Sequence, residues 1–320
     1  MLYSIDPVPA YEQTIREYLT RIGRRVPASC FVIVGAGGST QMIAAFYWAA
    51  AIHHKRHSKS RKFKLKLNVQ SSIPPPYYAL HQQICDTVQG CRWISWEDSR
   101  RRMDLQVIVS PNNPNGTIQS PTITDPSRQF ILLDFVYDTP QFTGGYETVN
   151  PWTENYLENP DSLFGMVGSL SKLGLAGLRV GFLITPNAEL AANVVDYVQR
   201  TSLGTNTWAM NFAISNLNAL YLNMFWFDKT IYDELQYRQA VLRQLIPNHL
   251  ILSLTNVPFL FLQLPPELFE RQGIRVRNGA SFGVDPLRYC RLQLMVSYQD
   301  FPILFTRIKD LHLNNNHEQD

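Results

Sequence analysis

Apolar and polar positions change period abruptly near the start of the chain. Residues 11–24 place apolar side chains at helical spacing and end at a glycine, which predicts a helix. Residues 31–34 are continuously apolar, as in a buried strand, and 35–38 supply a glycine turn. A second, apolar helix then opens at Ser39 or Thr40. The sequence therefore predicts a strand, a tight turn and a helix N-terminus in direct succession.

Further short apolar runs predict the remaining strands of a sheet. They lie at 63–69, 92–96, 105–110, 129–134, 163–169 and 179–184, separated by turn residues or helical stretches. Buried strands that alternate with helices are typical of an α/β domain, because the crossover helices cover both faces of a mostly parallel sheet. We therefore expect an α/β fold with a mostly parallel sheet flanked by helices.

The pattern changes in the last quarter of the chain. A long helical region at 187–245 is followed by predicted strands near 249–254, 258–264 and 289–297 and by a final helix at 300–312. This pattern favours a smaller α+β domain. We expect a large domain at 29–246 and a small domain built from 1–28 and 247–320.

The composition is that of a globular protein and narrows the function only slightly. The 320 residues are 45% hydrophobic and 17% charged, and a net charge of +3 is too small to indicate a nucleic-acid or membrane partner. The basic stretch 53–66 is interpreted as a solvated loop, with a nucleic-acid surface as the alternative. The N-terminus lacks the pattern of a signal peptide, and we expect a cytoplasmic protein.

The cysteines argue against a zinc site built from thiolates. The chain has four of them, Cys30, Cys85, Cys91 and Cys290. They form neither a CxxC pair nor a zinc-type spacing with histidine. We expect reduced thiols and no metal.

The glycine turn "GAGGSTQ" (35–41) raises the question of a nucleotide. A dinucleotide fingerprint fails here, because Thr40 stands where a third glycine or alanine is needed and no acidic residue follows about twenty positions later. What remains is the general ability of a helix N-terminus to bind phosphate through free amides. Taken alone, a plain structural turn explains the segment equally well.

Three more chemically notable segments follow predicted strands. They are "SPNNPNG" (110–116), Asp134 with Tyr137 close behind it, and Lys172. Each has an ordinary explanation as a turn, a cap or a surface lysine. Together they lie at the strand ends where open α/β sheets bind ligands, and so they indicate one ligand site.

The order of these pieces resembles a known family. A glycine turn, "NNPNG", "DFVY", "SLSK" and "GLRVG" are similar to the motifs of fold-type I pyridoxal-phosphate enzymes, the aspartate aminotransferase superfamily. "VGAGGSTQ" and the stretch 282–301 most resemble the branch of plant alliinases and tryptophan aminotransferases. The resemblance covers nearly the whole chain. It implies pyridoxal 5′-phosphate as cofactor, a homodimer, and amino acids and 2-oxo acids as substrates.

The resemblance also implies roles for residues around the cofactor ring. Lys172 matches the lysine that holds the cofactor aldehyde as a Schiff base and moves the substrate proton. Asp134 matches the carboxylate that keeps the pyridine nitrogen protonated. Tyr137 and Asn113 match the residues that hydrogen-bond the ring hydroxyl.

Further matches concern the phosphate, the ring face and the substrate. The residues matched to the phosphate are Gly38, Ser39, Thr40, Ser169 and Arg179. An aromatic face over the ring fits Tyr77, with Tyr78 as the alternative. Arg291 in "YCRLQL" matches the arginine that binds the substrate α-carboxylate through a bidentate fork.

Two departures from the family pattern need attention. The segment from Lys172 to Arg179 is one residue shorter than the common spacing, so either its loop must be rearranged or the arginine contact adjusted. The abbreviated N-terminus leaves only Tyr3 or Tyr11 to supply the tyrosine that the family brings from the partner subunit.

The resemblance implies transamination by a ping-pong mechanism, with aromatic donors such as tryptophan among the candidates. A carbon–sulfur β-lyase of alliinase type is the alternative, since both reactions start at the same substrate carbon. A binding protein without turnover is a third hypothesis.

Overall fold

The computed structural model describes residues 9–58, 66–98, 102–122, 127–254, 256–311 and 313. The helices are α1 (Pro9–Arg21), α2 (Gly38–His57), α3 (Leu80–Thr87), α4 (Pro140–Thr143), α5 (Thr153–Leu157), α6 (Ala188–Ser202), α7 (Thr207–Tyr221), α8 (Met224–Arg243), α9 (Pro266–Arg271) and α10 (Asp300–Lys309). The strands are β1 (Phe31–Gly35), β2 (Leu67–Ser71), β3 (Cys91–Trp93), β4 (Leu105–Val109), β5 (Phe130–Asp134), β6 (Phe164–Ser169), β7 (Gly181–Thr185), β8 (Phe259–Leu262), β9 (Arg277–Asn278) and β10 (Cys290–Gln293).

The large sheet has the strand order β1-β7-β6-β5-β4-β2-β3. Strands β2 to β6 pair in parallel, while β7 is antiparallel to both of its neighbours, β1 and β6. Every residue of β4, β5, β6 and β7 is buried, because helices cover both faces of the sheet. The mostly parallel sheet and the α/β fold predicted from the sequence are confirmed.

Two apolar clusters lie on opposite faces of this sheet. Alternate residues of a strand point to opposite sides, so Ile131 and Leu133 join one cluster while Leu132 joins the other. Helices α1 and α7 cover the first face, and α2, α3 and α6 cover the second. Helix α1, expected in the small domain, thus buries Ile15 and Leu19 against the large sheet.

A second, three-stranded antiparallel sheet has the order β8-β10-β9. Its apolar side chains form a third cluster with residues of α8 and α10. The strand predicted near 249–254 is only partly formed. Residues Asn248–Leu250 form a 3-10 turn, and Ile251 makes an isolated antiparallel bridge to Leu262 in β8. Backbone hydrogen bonds from Leu252 N–H to the Phe261 carbonyl and from Gln263 N–H to the Leu250 carbonyl, both at 2.8 Å, flank this bridge. The predicted domain limits, 29–246 for the large domain and 1–28 with 247–320 for the small domain, stay a prediction.

None of the helices in the described part of the chain combines the length and apolarity needed to cross a lipid bilayer. The four cysteines are free and buried. A basic loop was predicted at 53–66, but 53–57 complete α2, and 59–65 lie outside the described residues.

Candidate active site

Three neighbouring strands end at one edge of the large sheet and deliver the predicted site residues there. In the parallel register Val109 pairs with Asp134, and Asp134 pairs with Val167. The segment that holds Asn113 follows β4, and the turn that holds Lys172 follows β6. The predicted cluster at the carboxyl ends of the strands is therefore formed.

Asp134 is a buried carboxylate with two hydrogen-bond donors. Its side chain is 4% exposed. The backbone N–H of Val136 donates to Oδ1 at 3.2 Å, and Nε2 of His81 lies 3.2 Å from Oδ2. Because these donors hold both oxygens, the carboxylate has a fixed orientation at the end of β5.

Behind Asp134 lies a short relay that the sequence did not reveal. His81, on α3 and 1% exposed, places Nδ1 3.0 Å from the hydroxyl of Tyr47 on α2. Burial, together with nearby Cys85, Cys91 and Asp134, holds the pKa of Tyr47 well above its ordinary value. The hydroxyl is therefore protonated and can donate to Nδ1, which leaves Nε2–H to donate to Asp134. The only sequence signal for His81 is that it follows Tyr78 by about one helical turn.

Lys172 lies in a 3-10 turn, Leu170–Leu173, directly after β6. The Ser169 Oγ accepts a hydrogen bond from the Ser171 N–H at 3.1 Å and so caps this turn. The Lys172 ammonium lies 4.7 Å from the centroid of the Tyr137 ring. The turn thus directs the amine towards Tyr137, which lies three residues after Asp134.

Arg291 reaches the same edge from the small sheet. Its Nη1 donates to Oδ1 of Asn113 at 2.8 Å, and its guanidinium lies over the rings of Phe259 and Phe282, 4.5 and 5.4 Å from their centroids. Burial lowers the pKa of Arg291, opposed by the nearby Tyr137, but a guanidinium stays charged in proteins. Its Nε is buried without a hydrogen-bond partner among the described residues. A desolvated cation with an unused donor is suited to bind a small anion.

The glycine turn before α2 forms a cradle with Arg179. Gly38 has a φ of +70°, and its N–H donates to the Arg179 carbonyl at 2.7 Å. Arg179 Nη2 donates to the Gly37 carbonyl at 3.1 Å, so the guanidinium lies across the helix N-terminus. A Cβ at Gly38 would meet Nη2 at 2.5 Å, and one at Gly181 would meet the Gly38 carbonyl carbon at 2.1 Å. Only glycine permits this close approach of backbone and guanidinium.

The shortened loop before Arg179 is accommodated by left-handed backbone. Gly174 ends the Lys172 turn with a φ of 78°, and a second 3-10 turn, Ala176–Leu178, ends at Arg179 with a φ of 54°. Positive φ is uncommon for an arginine. The exposed side chain also donates to the Ala176 carbonyl through Nη1 at 3.2 Å. The loop rearrangement predicted from the spacing is thus a pair of tight turns.

The remaining phosphate residues surround the same cradle. Ser39 and Thr40 stand in the first turn of α2 and are half-buried. The Ser169 Oγ lies 2.7 Å from the Ser171 Oγ and 3.1 Å from the Val180 carbonyl. Gly181 and Ser169 are paired residues of β7 and β6, which brings both beside Gly38.

The two candidate tyrosines for the ring face point in different directions. Tyr77 packs its ring 5.6 Å from Trp93, centroid to centroid. Tyr78 lies edge-on to the His81 ring at 6.4 Å. Burial raises the pKa of Tyr78, with Arg277 opposing it and Asp134 among the smaller causes, which places Tyr78 in the field of the site. The alternative, Tyr78, therefore replaces the first choice, Tyr77, in the site proposed below.

The tyrosines considered for the partner subunit give no support to that role. Tyr3 lies outside the described residues. Tyr11 is 7% exposed and belongs to the first apolar cluster, so its ring is engaged in the core of its own chain.

Comparisons with known proteins show the family to which the chain belongs. The family model described as Allinase matches residues 8–257. Tryptophan aminotransferase-related proteins 3 and 4 of Arabidopsis thaliana are 26% and 24% identical to the chain, which is covered to 93% and 97%. The chain spans 67% and 69% of their lengths.

Solved structures share the fold at low identity. An aspartate aminotransferase mutant of Thermus thermophilus superposes with a TM-score of 0.71 at 15% identity, covering 96% of this chain and 87% of that one. Histidinol-phosphate aminotransferase of Clostridium acetobutylicum gives 0.68 at 14% identity, covering 97% and 91%. The chain therefore belongs to the alliinase family and has the fold-type I architecture of pyridoxal-phosphate aminotransferases.

Proposed function

We propose that this protein is a pyridoxal-phosphate-dependent aminotransferase that moves the amino group of an L-amino acid, aromatic donors such as tryptophan included, to a 2-oxo acid by a ping-pong mechanism. The observation that carries the proposal is the meeting of Asp134, Lys172 and Arg291 at one sheet edge. There the carboxylate would face the ring nitrogen of the cofactor, the amine would hold its aldehyde, and the guanidinium would bind the substrate α-carboxylate. The names of the Arabidopsis thaliana relatives support an aromatic donor.

The residues present fit the cofactor. The Gly38 cradle under Arg179 would hold the phosphate, since a helix N-terminus and a guanidinium both favour a dianion. Lys172 would hold the aldehyde, and Asp134 would face the pyridine nitrogen. Pyridoxal phosphate, when bound, supplies an electron-withdrawing ring that stabilises negative charge at the substrate α-carbon.

The residues of the chain supply orientation and proton transfer. The Asp134 carboxylate, buried and held by His81, would keep a proton on the ring nitrogen. Tyr137 and Asn113 would fix the ring hydroxyl, and Tyr78 would cover one face of the ring. Lys172, once free, would take the proton from the substrate α-carbon and return it one step later.

Substrate binding would centre on Arg291. Its guanidinium is held between Phe259 and Phe282 and is braced by Asn113, so it meets an α-carboxylate with little loss of side-chain entropy. The rings of Phe259 and Phe282 provide an apolar wall beside the charge. This favours an amino acid with an apolar or aromatic side chain.

The proposed assembly is a homodimer. Helices α7 and α8 expose large apolar side chains, among them Trp208 at 84% and Trp226 at 66%. An exposed patch of this kind marks an interaction surface. A second copy of the chain is the partner that we propose for it.

A β-lyase is the second candidate, because the matching family model is that of the allinases. The same lysine would remove the same α-proton, and the outcome would then depend on whether the β-substituent leaves. Release of pyruvate from an S-alkyl cysteine sulfoxide without any oxo-acid acceptor would favour the lyase.

The decisive experiment uses the purified full chain mixed with pyridoxal phosphate. We expect a visible absorption band, and borohydride treatment followed by peptide mass spectrometry should place the cofactor on Lys172. L-Tryptophan should then convert the bound cofactor to its pyridoxamine form. Cofactor binding without conversion by any common L-amino acid would reject transamination. Absence of cofactor binding would reject the proposed function altogether, and only the fold would remain established.

A further inference from the structure

A histidine pair lies far from the candidate active site, near the C-terminal end of α2. His53 and His57 are one helical turn apart on the same face of α2. Glu189, in the first turn of α6, reaches across to both of them. Since α2 rises about 1.5 Å per residue, His53 is about 22 Å along the helix from Gly38. The cluster is therefore separate from the cofactor cradle.

The donor atoms of these three side chains converge. His57 Nε2 lies 2.8 Å from Glu189 Oε2, and His53 Nε2 lies 3.5 Å from the same oxygen. One ligand atom from each residue lies within 4.8 Å of the others. Donors bound to a tetrahedral zinc ion at 2.0–2.2 Å are about 3.3–3.5 Å apart. A small opening of the His57–Glu189 contact would therefore admit the ion.

We propose that His53, His57 and Glu189 form a binding site for a divalent transition-metal ion, with Zn²⁺ as the best match, that joins the end of α2 to the start of α6. Two imidazoles and one carboxylate are a known zinc ligand set that leaves a fourth position for water. The cysteine spacing that argued against a metal does not concern this cluster, because none of its ligands is a thiolate.

The surroundings of the cluster suit its ligands. The His53 side chain is the most shielded of the three, at 14% exposed, and its ring packs edge-on against Phe130. Glu189 is 33% exposed, and its carboxylate lies within hydrogen-bond distance of both His57 and Arg56. Arg56 Nη1 contacts the other oxygen, Oε1, at 3.2 Å and leaves Oε2 for the ion.

A second residue of α6 holds Arg56 in place. Asn193 follows Glu189 by one helical turn and is 7% exposed. Its Oδ1 accepts from Arg56 Nη1 at 3.4 Å, while its Nδ2 is buried without a partner among the described residues. Arg56 thereby orients the carboxylate from outside the ligand set, as groups behind metal ligands commonly do.

The test is a titration of the metal-free full chain with Co²⁺ and Zn²⁺. Co²⁺ should give visible absorption bands of a four-coordinate ion, Zn²⁺ should bleach them, and Zn²⁺ should raise the melting temperature by several degrees. His57→Asn and Glu189→Gln should each weaken Zn²⁺ binding at least about tenfold. His54→Asn, on the same helix but outside the cluster, should bind as the parent does.

Each other outcome overturns the proposal. Absence of Co²⁺ bands in the parent would reduce the cluster to a network of ion pairs. Equal Zn²⁺ binding by the parent, His57→Asn and Glu189→Gln would place the ion elsewhere. Since His57 is 60% exposed, its variant is expected to fold, and a circular dichroism spectrum with an unchanged cofactor absorption band verifies this.

Discussion

Two buried carboxylates, four residues apart in sequence, are held in opposite ways. Asp138 is 1% exposed and meets the Arg24 guanidinium at 2.6 Å. Its other oxygen accepts from Thr148 and Asn150 at 2.7 and 2.9 Å. Asp134 is 4% exposed, yet its donors are a backbone amide and the imidazole of His81. One carboxylate is neutralised by a permanent cation, whereas the other is not.

The difference indicates what each charge does. The charge of Asp138 is used within the protein, since it ties the segment after α1 to the loop after β5. The relay through His81 and Tyr47 fixes the position of Asp134 without cancelling its charge, provided that Tyr47 donates to His81. The negative charge of Asp134 is therefore available to a cationic partner in the cleft. A protonated pyridine nitrogen would be such a partner.

Asp134→Asn is expected to have the largest effect on turnover. The amide keeps one oxygen for the Val136 N–H but removes the charge opposite the ring nitrogen, so transamination should fall by about 10³-fold while the fold persists. Steady-state rates and a thermal melt measure both. Turnover within tenfold of the parent would show that Asp134 is structural, like Asp138.

Asp138→Asn should show the reverse pattern. It leaves Arg24 buried without its counter-charge, and the free energy of unfolding should fall by about 3–5 kcal/mol. Urea denaturation measures this loss. Turnover per folded molecule should stay near that of the parent, and a loss as large as that of Asp134→Asn would remove the distinction between the two carboxylates.

Arg179→Lys changes the exposed end of the cleft, where we propose that the phosphate binds, whereas Asp134→Asn changes the buried end. Lysine cannot reproduce the planar fork, and loss of a charge-assisted hydrogen bond should weaken pyridoxal phosphate binding about ten- to hundredfold. Equilibrium dialysis measures the affinity. Excess cofactor should restore turnover here, in contrast to Asp134→Asn. If excess cofactor gives no recovery, Arg179 has a role other than binding the phosphate.

Tyr47→Phe removes the hydroxyl behind His81. It leaves Nδ1 of a buried imidazole unpaired, which should lower the free energy of unfolding by about 1–3 kcal/mol. Turnover should also fall, and its pH profile should change because His81 can take up a different tautomer. The control is Tyr197→Phe, a half-buried tyrosine on α6 packed against Trp48. Identical pH profiles for both variants would remove Tyr47 from the relay.

The sequence predicted the sheet and the site residues at strand ends, because apolar period and turn chemistry are local signals. It could not predict His81 or Tyr47, since their meeting with Asp134 depends on how α2 and α3 pack over the sheet. The choice between Tyr77 and Tyr78 for the ring face stays a prediction, because it depends on how the segment before α3 turns. The segment at 249–254 pairs with β8 over a single bridge only, which shows that a short apolar run does not fix how far a strand extends.

A third buried carboxylate, Asp228, sharpens the comparison through pH. It is 2% exposed, has Tyr146 as a donor at 3.0 Å, and has no partner for its Oδ1 among the described residues. Burial raises its pKa to about 6, although the hydrogen bond from Tyr146 opposes the shift. A raised carboxyl pKa means that the folded state binds the proton more tightly, so this group's contribution should favour folding as the pH falls from about 6 towards 4.

Asp228→Asn should therefore stabilise the protein by about 1–2 kcal/mol at pH 7, because it removes a buried charge that has no counter-ion among the described residues. The gain should shrink as the pH is lowered through 6, where the parent carboxyl becomes protonated. Urea denaturation of parent and variant at pH 7 and pH 5 measures the difference. A variant that is less stable than the parent at pH 7 would contradict the assignment, since it would mean that the Asp228 charge is stabilised in the fold as that of Asp138 is.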